Sequence, residues 1–467
     1  MKPGGALTMN PDIFRKYDIR GVAETDLDDA TIRKIAKAYG TRIGAQTEAR
    51  PRVGIGRDIR FSSDRIFRAF EEGLVAVGVD VVDLGVVPTP LVYFATHQMG
   101  LDGSVQVTGS HNPPEYNGLK MMEGKKPLFG DGIQELREIA ESGDFRTADS
   151  PGGSEAHPSL VCEYIDWVSD NIEVGDHSVR IAMDGGNGVA GVVAPQLIRE
   201  VFDIEPVELF MEPDGSFPNH HPDPTVEENL EALVEAVREE NCDLGVAYDG
   251  DGDRLGVVDD AGNVVWGDTL LILLSREVLR EHPGATILGE VKCSQTLFDD
   301  IEAHGGQGVM SRVGHSFMKA KIHETGALLA GEMSGHIFFN DRFFGFDDAL
   351  YATCRVIEIL TRRGETIREL LSDVPETFAT PEIRRDCPED IKFEIPGLVA
   401  DYFADDYDVT TVDGARIKFE NGWGLVRASN TQPKLVLRAE GLSAEERDDY
   451  LSRLEEAVAA AKTQLND

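Results

Sequence analysis

Apolar runs that end in glycine-containing turns recur along the chain. They are "RVGIGRD" (52–58), "VRIAMDGGNGVAG" (179–191) and "CDLGVAYDGDGDRLGVV" (242–258). Short apolar runs rich in valine and isoleucine that stop at glycine or aspartate are typical of strands. Each run therefore predicts a strand that ends in a tight turn.

Amphipathic segments lie between these strands. "DRIFRAFEEGLVAVG" (64–78) and "TVEENLEALVEAVREEN" (225–241) place apolar residues three and four positions apart, which predicts helices. Asp223 or Thr225 is expected to cap the second helix, and glutamates follow in its first turn. Strands that alternate with helices indicate α/β layers built on parallel or mixed sheets.

The C-terminal part of the chain follows a different pattern. "TTVDGARIKFENGWGLVRAS" (410–429) predicts a β-hairpin, and "KLVLRAE" (434–440) predicts a further strand. Residues 443–465 then predict a long amphipathic helix. These elements indicate an α+β domain rather than another alternating α/β domain.

Polar stretches divide the chain into domains. The segment 142–159 is rich in glycine, proline and serine, and further breaks occur near 259–262 and 374–381. A chain of 467 residues is long enough for three or four domains. We therefore predict four domains, at residues 1–154, 155–257, 258–374 and 375–467.

Acidic residues dominate the composition. Asp and Glu number 84 against 45 Lys and Arg, which gives a formal net charge of −39 at pH 7. Such a surface repels nucleic acid, so we expect no nucleic-acid partner. The surface also repels itself, and about 1 M salt shortens the Debye length to about 3 Å and screens that repulsion. We therefore expect a halophilic protein rather than an ordinary acidic enzyme.

The cysteines and apolar runs are typical of a cytoplasmic protein without a membrane partner. The five cysteines are scattered and form no CxxC pair, so we expect reduced thiols. "MKPGGALTMN" lacks the apolar core of a signal peptide, and Met9 is the expected natural start, because the patterned sequence begins directly after it. The longest apolar run, "TLLILL", is too short to cross a bilayer.

The segment "YDGDGDR" places Asp249, Asp251 and Asp253 two residues apart between apolar strands. The intervening glycines let the backbone curl so that the carboxylates converge. Each like-charge pair then costs about 1 to 4 kcal/mol at ~4 Å, unless a cation is bound. An EF-hand is excluded, because its sixth position is Arg254 and its twelfth is Asp260. A solvated acidic turn is the other alternative, but the flanking strands and the arginine favour a Mg²⁺ site that accepts phosphate oxygens.

The segment "VQVTGSHNPPEYNGLK" (105–120) predicts a strand and then a rigid loop with Ser110 and His111. A serine hydroxyl is a poor nucleophile unless a base or a modification activates it. A Ser-His-acid hydrolase is disfavoured, because the G-x-S-x-G elbow is missing. Neighbouring residues of an extended loop point apart, so His111 is not expected to be the base. A phosphoserine at Ser110, beside Mg²⁺ and Lys120, fits better.

Two other segments carry side chains suited to sugar phosphates. "RASNTQPKLVLRAE" (427–440) gathers arginine, serine, asparagine and threonine before a proline, which favours an anion-binding loop over a turn without a ligand. "GEMSGH" offers Glu332, Ser334 and His336 for sugar hydroxyls and proton transfer. As an isolated string it is equally typical of a polar loop with a buried histidine.

The segment "GGNGVAG" supports a rival interpretation. Gly186, Gly188 and Gly191 have the G-x-G-x-x-G spacing of a dinucleotide-binding turn, and Glu208 lies about 20 residues further on. This pattern predicts an NAD-dependent oxidoreductase. A lone fingerprint more often marks a glycine-rich turn without a nucleotide, which we favour here.

The motifs "VTGSHNPPEYNGLK", "DGDGDR", "GEMSGH" and "RASNTQPKLVLRAE" together resemble, in order and approximate spacing, those of the α-D-phosphohexomutases. "FRKYDIRG" and "VGHSFMK" resemble the phosphomannomutase/phosphoglucomutase branch of that family. The resemblance extends over nearly the whole chain. It implies four domains around a central cleft: three related α/β domains with mixed sheets and a smaller C-terminal α+β domain.

The resemblance also implies which residues form the site. The phosphoserine and the Mg²⁺ ligands are matched by Ser110 together with Asp249, Asp251 and Asp253. The residues assigned to catalysis are Ser110, Lys120, His336, Arg20 and Arg254. The residues assigned to substrate binding are Tyr17, Lys292, His315, Glu332, Ser334, Arg427, Ser429, Asn430 and Thr431.

The family activity implied is the interconversion of hexose 1-phosphate and hexose 6-phosphate, of mannose, glucose or both. It implies Mg²⁺ and a phosphoserine, with hexose 1,6-bisphosphate as intermediate and activator. The partners would be small sugar phosphates, and the protein would be a monomer or a homodimer. Met333, where glucosamine mutases typically have glutamine, disfavours the alternative of a phosphoglucosamine mutase. A non-catalytic sugar-phosphate binder is a further alternative, if Ser110 is never phosphorylated.

Overall fold

The computed structural model of the chain describes residues 9–429 and 432–466. These residues fold into two compact units. The first unit runs to Gly267 and also includes Ser334–Arg368, and the second contains the rest of the chain. Within the described part of the chain, every helix is too short or too polar to span a lipid bilayer.

The first sheet lies in the first unit and follows a short 3₁₀ helix at Pro11–Ile13. Its strands are β1 (Ile19–Val22), β2 (Arg52–Arg57), β3 (Asp80–Val86), β4 (Gly103–Val107), β5 (Tyr116–Glu123), β6 (Lys126–Pro127) and β7 (Ser154–Ala156). The helices of this region are α1 (Asp29–Gly44), α2 (Ser63–Ala76), α3 (Thr89–Met99), α4 (Asp131–Ser142) and α5 (Leu160–Ser169). The strand order is β1-β5-β4-β2-β3-β7, with β6 on β5. The sheet is mixed, because β2 pairs in parallel with β3 and β4, whereas β4 and β5 are antiparallel.

Helix α2 and strand β4 show how the sequence pattern builds this layer. Ile66, Phe70 and Leu74 recur at helical spacing along α2 and are fully buried. Every residue of β4 is buried, as expected for a strand in the middle of a covered sheet. The chain leaves this core at Thr108, and the loop that carries Ser110 starts there.

The second sheet also lies in the first unit. Its strands are β8 (Ile181–Asp184), β9 (Val207–Leu209), β10 (Leu244–Tyr248), β11 (Leu255–Asp259) and β12 (Val264–Val265). Its helices are α6 (Ala194–Phe202) and α7 (Glu231–Glu240), with 3₁₀ turns at Val189–Val192 and Glu227–Leu230. The order is β12-β11-β10-β8-β9, with β8, β9 and β10 parallel and β11 antiparallel. Tyr248 pairs with Leu255, so the six residues between them form the connection that carries the three aspartates.

The predicted cap of helix α7 is wrong. A 3₁₀ turn occupies Glu227–Leu230, so the α-helix begins only after Leu230. Leu230 makes no side-chain capping bond. Asp223 instead accepts hydrogen bonds from the amide and the hydroxyl of Thr225, at 3.1 and 2.7 Å. This local turn competes with capping, as short polar side chains often do.

The third region alternates strands and helices. Its elements are α8 (Gly267–Glu281), β13 (Thr286–Glu290), α9 (Gln295–Ala303), β14 (Gln307–Ser311), α10 (His315–Thr325), β15 (Leu329–Gly331), β16 (Ile337–Phe339), α11 (Ala349–Arg363) and α12 (Ile367–Leu370). In the second unit, β13 pairs in parallel with both β14 and β15. Strand β16 and helix α11 belong to the first unit.

The C-terminal region is an antiparallel sheet with two helices. Its elements are β17 (Phe378–Ala379), β18 (Ile383–Asp386), α13 (Ile395–Phe403), β19 (Asp408–Thr410), β20 (Ala415–Phe419), β21 (Gly422–Ala428), β22 (Lys434–Gly441) and α14 (Ala444–Asn466). The predicted hairpin is β20–β21, and the predicted third strand is β22. The predicted succession of α/β layers and a final α+β layer is confirmed.

One predicted break contains a strand, and the second sheet continues past another. Strand β7 lies in the predicted linker 142–159 and pairs with β3, because its backbone extends that edge of the first sheet. Strand β12 pairs with β11 and continues the second sheet past position 257. The domain limits themselves stay predictions.

Candidate active site

Ser110 lies directly after β4, in a strained and nearly buried position. Its φ of 51° is in the left-handed region, which non-glycine residues seldom adopt, and 2% of its surface is exposed. Its Oγ donates to Oδ2 of Asp249 at 3.0 Å and lies 3.1 Å from Nδ1 of His111. The expectation that Ser110 and His111 point apart is therefore wrong, because the positive φ breaks the alternation of an extended chain.

The three aspartates predicted as metal ligands converge in the β10–β11 connection. Asp249, Asp251 and Asp253 are completely buried, and each contributes an oxygen to a group that lies within 4.8 Å. Gly252 has a φ of 74°, which lets the chain turn back over so short a distance. The first unit thus brings Ser110 and all three aspartates together.

Asp249 uses both carboxylate oxygens for protein contacts, whereas Asp251 and Asp253 each use one. Oδ1 of Asp249 accepts the backbone amides of Asp253 and Arg254, at 3.0 and 3.1 Å. Oδ2 of Asp251 accepts Nζ of Lys120 at 2.7 Å, and Oδ2 of Asp253 accepts the same ammonium. Oδ1 of Asp251 and Oδ1 of Asp253 are buried without a hydrogen-bond partner among the described residues. Carboxylate oxygens left unpaired in this way are the ligands that Mg²⁺ takes, so these residues fit the ion.

The charge balance of this cluster also indicates a cation. Burial raises the pKa of Asp249 well above its ordinary value, and the charges of Asp251 and Asp253 raise it further. Burial alone would lower the pKa of Lys120, but the two carboxylates that it contacts outweigh that effect and raise it. One ammonium among three buried carboxylates leaves negative charge that a divalent cation would offset.

Arg20 and His111 lie on the Ser110 loop side of this cluster. Arg20 donates to Asp18 at 2.5 Å and to Oδ1 of Asn112 at 3.1 Å, so it is tied to the loop. Burial lowers the pKa of His111 well below its ordinary value, and the positive charges of Arg254 and Arg20 lower it further. His111 is therefore neutral near pH 7.

His336 is held between acidic and basic groups of the first unit. Nε of Arg254 donates to Nε2 of His336 at 3.1 Å, so Nε2 carries a lone pair rather than a proton. Nδ1 lies 3.2 Å from Asp347 and 3.6 Å from Asp253. The neutral ring thus has its proton on Nδ1, facing two carboxylates.

The second unit holds a separate group of predicted residues around Glu332. Oε1 of this buried carboxylate accepts the amide of Gly314 at 2.6 Å, and the next residue, His315, is the first residue of α10. Nζ of Lys292 lies 3.0 Å from Glu382 and 3.6 Å from Glu290. Burial raises the pKa of Glu290, and the charge of Glu332 raises it further.

Arg427 is joined to the His315 turn through an aspartate. Nη2 of Arg427 lies 3.0 Å from Asp413, and the same carboxylate oxygen accepts the amide of Val313 at 3.2 Å. Ser429 follows β21 and accepts the amide of Gln432 at 3.2 Å. Asn430 and Thr431, predicted to bind phosphate beside it, lie outside the described residues.

Tyr17 and Ser334 are half-buried residues of the first unit. Tyr17 is half-buried in the turn before β1, three residues from Arg20. Ser334 is half-buried between β15 and β16 and belongs to the first unit, whereas Glu332 belongs to the second.

The glycine-rich turn after β8 packs against the aspartate loop. The amide of Val189 donates to the carbonyl of Gly250 at 3.2 Å. A Cβ at Gly188 would lie 3.0 Å from that carbonyl oxygen, and one at Gly191 would lie 1.9 Å from the Met211 carbonyl oxygen. Close backbone packing accounts for these glycines, and the NAD-dependent interpretation is not favoured.

Sequence reasoning missed two buried residues that touch the site. Thr89 donates its hydroxyl to Oδ2 of Asp251 at 2.5 Å, and its amide donates to the Asp251 carbonyl at 2.9 Å. Asp347 faces His336 from the residue before the cap of α11. Nothing in the run "VPTP" (87–90) links Thr89 to the aspartates, and nothing in the sequence pattern distinguishes Asp347 from other acids.

Four family models match the chain in succession. They describe the phosphoglucomutase/phosphomannomutase alpha/beta/alpha domains I, II and III, at residues 11–147, 162–262 and 266–378, and the C-terminal domain at 382–457. The predicted four-domain fold agrees with this succession.

Similar proteins carry the same description. A phosphomannomutase/phosphoglucomutase of Pseudomonas aeruginosa is 44% identical over 447 residues, which cover 96% of this chain and 95% of that protein. A phosphoglucomutase of Neisseria gonorrhoeae is 42% identical and covers 92% of this chain and 93% of its own. The crystal structure of a phosphoglucomutase/phosphomannomutase family protein from Burkholderia thailandensis superposes with a TM-score of 0.89 at 39% identity, covering 97% of this chain and 98% of that one. The chain belongs to the phosphoglucomutase/phosphomannomutase family.

Proposed function

We propose that the protein is a Mg²⁺-dependent phosphohexomutase that interconverts the 1-phosphates and 6-phosphates of mannose and glucose. Its relatives are named for these two activities. The observation that carries the proposal is the 3.0 Å hydrogen bond from Ser110 to Asp249. This contact puts a strained serine hydroxyl against a buried carboxylate cluster, as transfer of a phosphoryl group at a metal site requires.

Asp249, Asp251 and Asp253, together with Ser110, would hold the metal ion. The two unpaired carboxylate oxygens support this assignment. When bound, Mg²⁺ would offset the negative charge of the phosphoryl oxygens.

Ser110 would carry the phosphoryl group between the two ends of the sugar. In the first half-reaction the Oγ–P bond breaks, a P–O bond forms to the free sugar hydroxyl, and that hydroxyl loses its proton. The product is a hexose 1,6-bisphosphate. In the second half-reaction its other phosphoryl group returns to Oγ of Ser110, and the sugar oxygen that it leaves takes up a proton. The same bisphosphate would act as activator by restoring the phosphoserine.

His336 would take up and return that proton. Its Nε2 carries a lone pair, and Asp347 would stabilise the imidazolium that forms. Arg254, which now donates to Nε2, would turn to the phosphoryl oxygens when substrate binds. Lys120 and Arg20 would add positive charge to the same oxygens.

The remaining predicted residues would bind the substrate. Arg427 suits the non-reacting phosphate, because a guanidinium binds phosphate through two parallel hydrogen bonds. Ser429, Asn430 and Thr431 would complete that loop. Glu332 and Ser334 would read sugar hydroxyls, and Lys292, His315 and Tyr17 would contact the sugar or its phosphates.

The composition of the sequence supports two finer parts of the proposal. The net charge of −39 supports a halophilic enzyme, and the scattered cysteines support the cytoplasm. A monomer and a homodimer are both compatible with the described residues.

A variant at Ser110 tests the proposal. Ser110→Ala should reduce turnover of mannose 1-phosphate and glucose 1-phosphate by more than about 1000-fold, because no oxygen is left to carry the phosphoryl group. Coupled assays with both substrates, and with glucosamine 1-phosphate as comparison, measure this loss. Intact mass should show one phosphate on the wild type and none on the variant.

The control is Ser142→Ala, at an exposed position near the end of α4. This variant should keep both the activity and the phosphate. Near-normal turnover by Ser110→Ala would overturn the proposal. A wild type that binds sugar phosphates but never turns them over would indicate a binding protein instead.

A further inference from the structure

The guanidinium of Arg60 lies beneath the Ser110 loop with all five N–H donors engaged. Nη2 donates to the carbonyls of Ser110 and Asn112, both at 2.6 Å. Nη1 donates to the carbonyls of Pro113 and Tyr116, at 2.6 and 3.1 Å. Four carbonyls of the connection between β4 and β5 therefore accept hydrogen bonds from the guanidinium of Arg60.

The fifth donor of Arg60 ties this cation to the start of the loop. Nε donates to Oδ2 of Asp58 at 3.1 Å, and the same oxygen accepts the amide of Gly109 at 3.3 Å. The side chains of Arg60 and Asp58 are 0% and 1% exposed, so water does not compete for these bonds. The ring of Phe217 lies 5.2 Å from the guanidinium carbon.

The arrangement requires an arginine. Lysine has three donors on one atom and cannot reach four carbonyls and a carboxylate in a plane. Gly109 makes the close approach feasible, because a Cβ there would lie 2.7 Å from Cζ of Arg60.

We propose that Arg60 is a positioning residue that holds Ser110 in its left-handed conformation, aimed at Asp249, and shields the phosphoserine from water. This inference rests on the proposed function. Without the bonds to residues 110–116, the backbone of Ser110 is free to relax from its φ of 51° to a common conformation. The hydroxyl would then leave its place beside Asp249 and become exposed.

Arg60→Lys tests this inference, because it keeps the charge and removes the planar set of donors. We expect kcat for mannose 1-phosphate to fall on the order of 100-fold, the effect of a displacement of about 1 Å at the reacting group. KM should stay near that of the wild type. Enzyme charged with glucose 1,6-bisphosphate should lose its phosphate to water faster, as followed by intact mass.

The matched control is Arg65→Lys. Arg65 also donates to backbone carbonyls, those of Leu27 and Ala23, but it does so away from the Ser110 loop. This variant should match the wild type in kcat and in phosphate loss. Hydrogen exchange adds a local readout: amides of residues 108–119 should exchange faster in Arg60→Lys and normally in Arg65→Lys.

Wild-type exchange in this segment together with wild-type kcat in Arg60→Lys would overturn the inference. If Arg60→Lys fails to fold, Arg60→Gln takes its place, because its shorter amide side chain cannot donate to the four carbonyls of residues 110–116. Unchanged loop exchange and kcat in that variant would equally overturn it. A wild type without mutase activity would instead count against the proposed function, and the exchange experiment would still decide the role of Arg60.

Discussion

The pairing of charges differs between two groups of residues. The first is the cluster of Ser110, Lys120 and the three aspartates, and the second is the group that contains Arg427 and Lys292. In the first cluster, three carboxylates and Lys120 are buried together, and two carboxylate oxygens have no hydrogen-bond partner among the described residues. In the second, Arg427 has Asp413 at 3.0 Å and Lys292 has Glu382 at 3.0 Å, so each cation already has its own acid. The first cluster thus has carboxylate oxygens without a positive partner, whereas in the second both cations are already paired with an acid.

This difference shows two ways of preparing a site. A charge deficit in a rigid and buried place attracts a cation and fixes its ligands before substrate arrives. Paired cations on side chains can exchange their acid for a phosphate at little cost, because one anion replaces another. We therefore expect changes in the first cluster to act on kcat and changes in the second to act on KM.

The largest effect should come from Asp251→Asn. Losing one charge removes a metal ligand and one partner of Lys120, so kcat should fall about 100- to 1000-fold, and the Mg²⁺ concentration for half-maximal rate should rise. Steady-state assays across a Mg²⁺ titration measure both. Asp131→Asn, at an exposed position of α4, should leave both unchanged. If Asp251→Asn keeps the kcat of the wild type, Asp251 does not hold a catalytic metal ion, and the contrast between the two groups fails.

The next effect concerns Arg427. Arg427→Ala should raise KM for hexose phosphates about 10- to 100-fold with a smaller change in kcat, because charged hydrogen bonds contribute about 1.5 to 3 kcal/mol each. Initial rates over a range of mannose 1-phosphate give both constants. Arg385→Ala, which breaks a surface pair with Glu455 in the same domain, is the control. If KM is unchanged in Arg427→Ala, its phosphate-binding role is misassigned.

A smaller effect should follow from Thr89→Val. The hydroxyl of Thr89 occupies Oδ2 of Asp251, which leaves Oδ1 of that carboxylate for the proposed cation. Its loss should weaken Mg²⁺ binding about tenfold, as loss of a hydrogen bond to a metal ligand does. Calorimetric titration of the protein with Mg²⁺ measures the dissociation constant. Thr89→Ser should restore it, and equal affinity in all three proteins would show that Thr89 does not orient Asp251.

The smallest effect concerns pH and Asp348 at the cap of α11. Burial raises the pKa of Asp348 to about 7, although Tyr351 and Tyr164 donate hydrogen bonds to it. Because the folded pKa exceeds the unfolded value, this group stabilises the fold at low pH, and that stability is lost as the pH rises towards 7. Asp348→Asn keeps the cap and removes the titrating group, so its thermal unfolding midpoint should change less than that of the wild type between pH 4 and pH 7. An unchanged pH profile would assign the dependence to other groups.

Much of this molecule could be predicted from local pattern. The strands at 52–57 and 181–184 and the β20–β21 hairpin follow from apolar runs and turn residues a few positions apart. The convergence of Asp249, Asp251 and Asp253 follows from their spacing and from the glycines between them. These features depend on neighbours in sequence, so the sequence contains the information.

The features that escaped prediction depend on contacts between distant residues. Thr89 and Asp251 are separated by 162 positions, and Arg60 and Ser110 by 50. The ring of His111 lies against the Ser110 hydroxyl because the φ of Ser110 is positive, and the proposed role of Arg60 is to maintain that angle. A single sequence carries no signal that joins such partners.

The ammonium of Lys120 supplies the aspartate loop with part of the positive charge that a bound metal ion would supply. This ammonium bridges Asp251 and Asp253, so the aspartates would keep a positive partner if a bound magnesium ion left. The folded loop would therefore persist without the ion, and exchange of the ion with the solvent would be reversible.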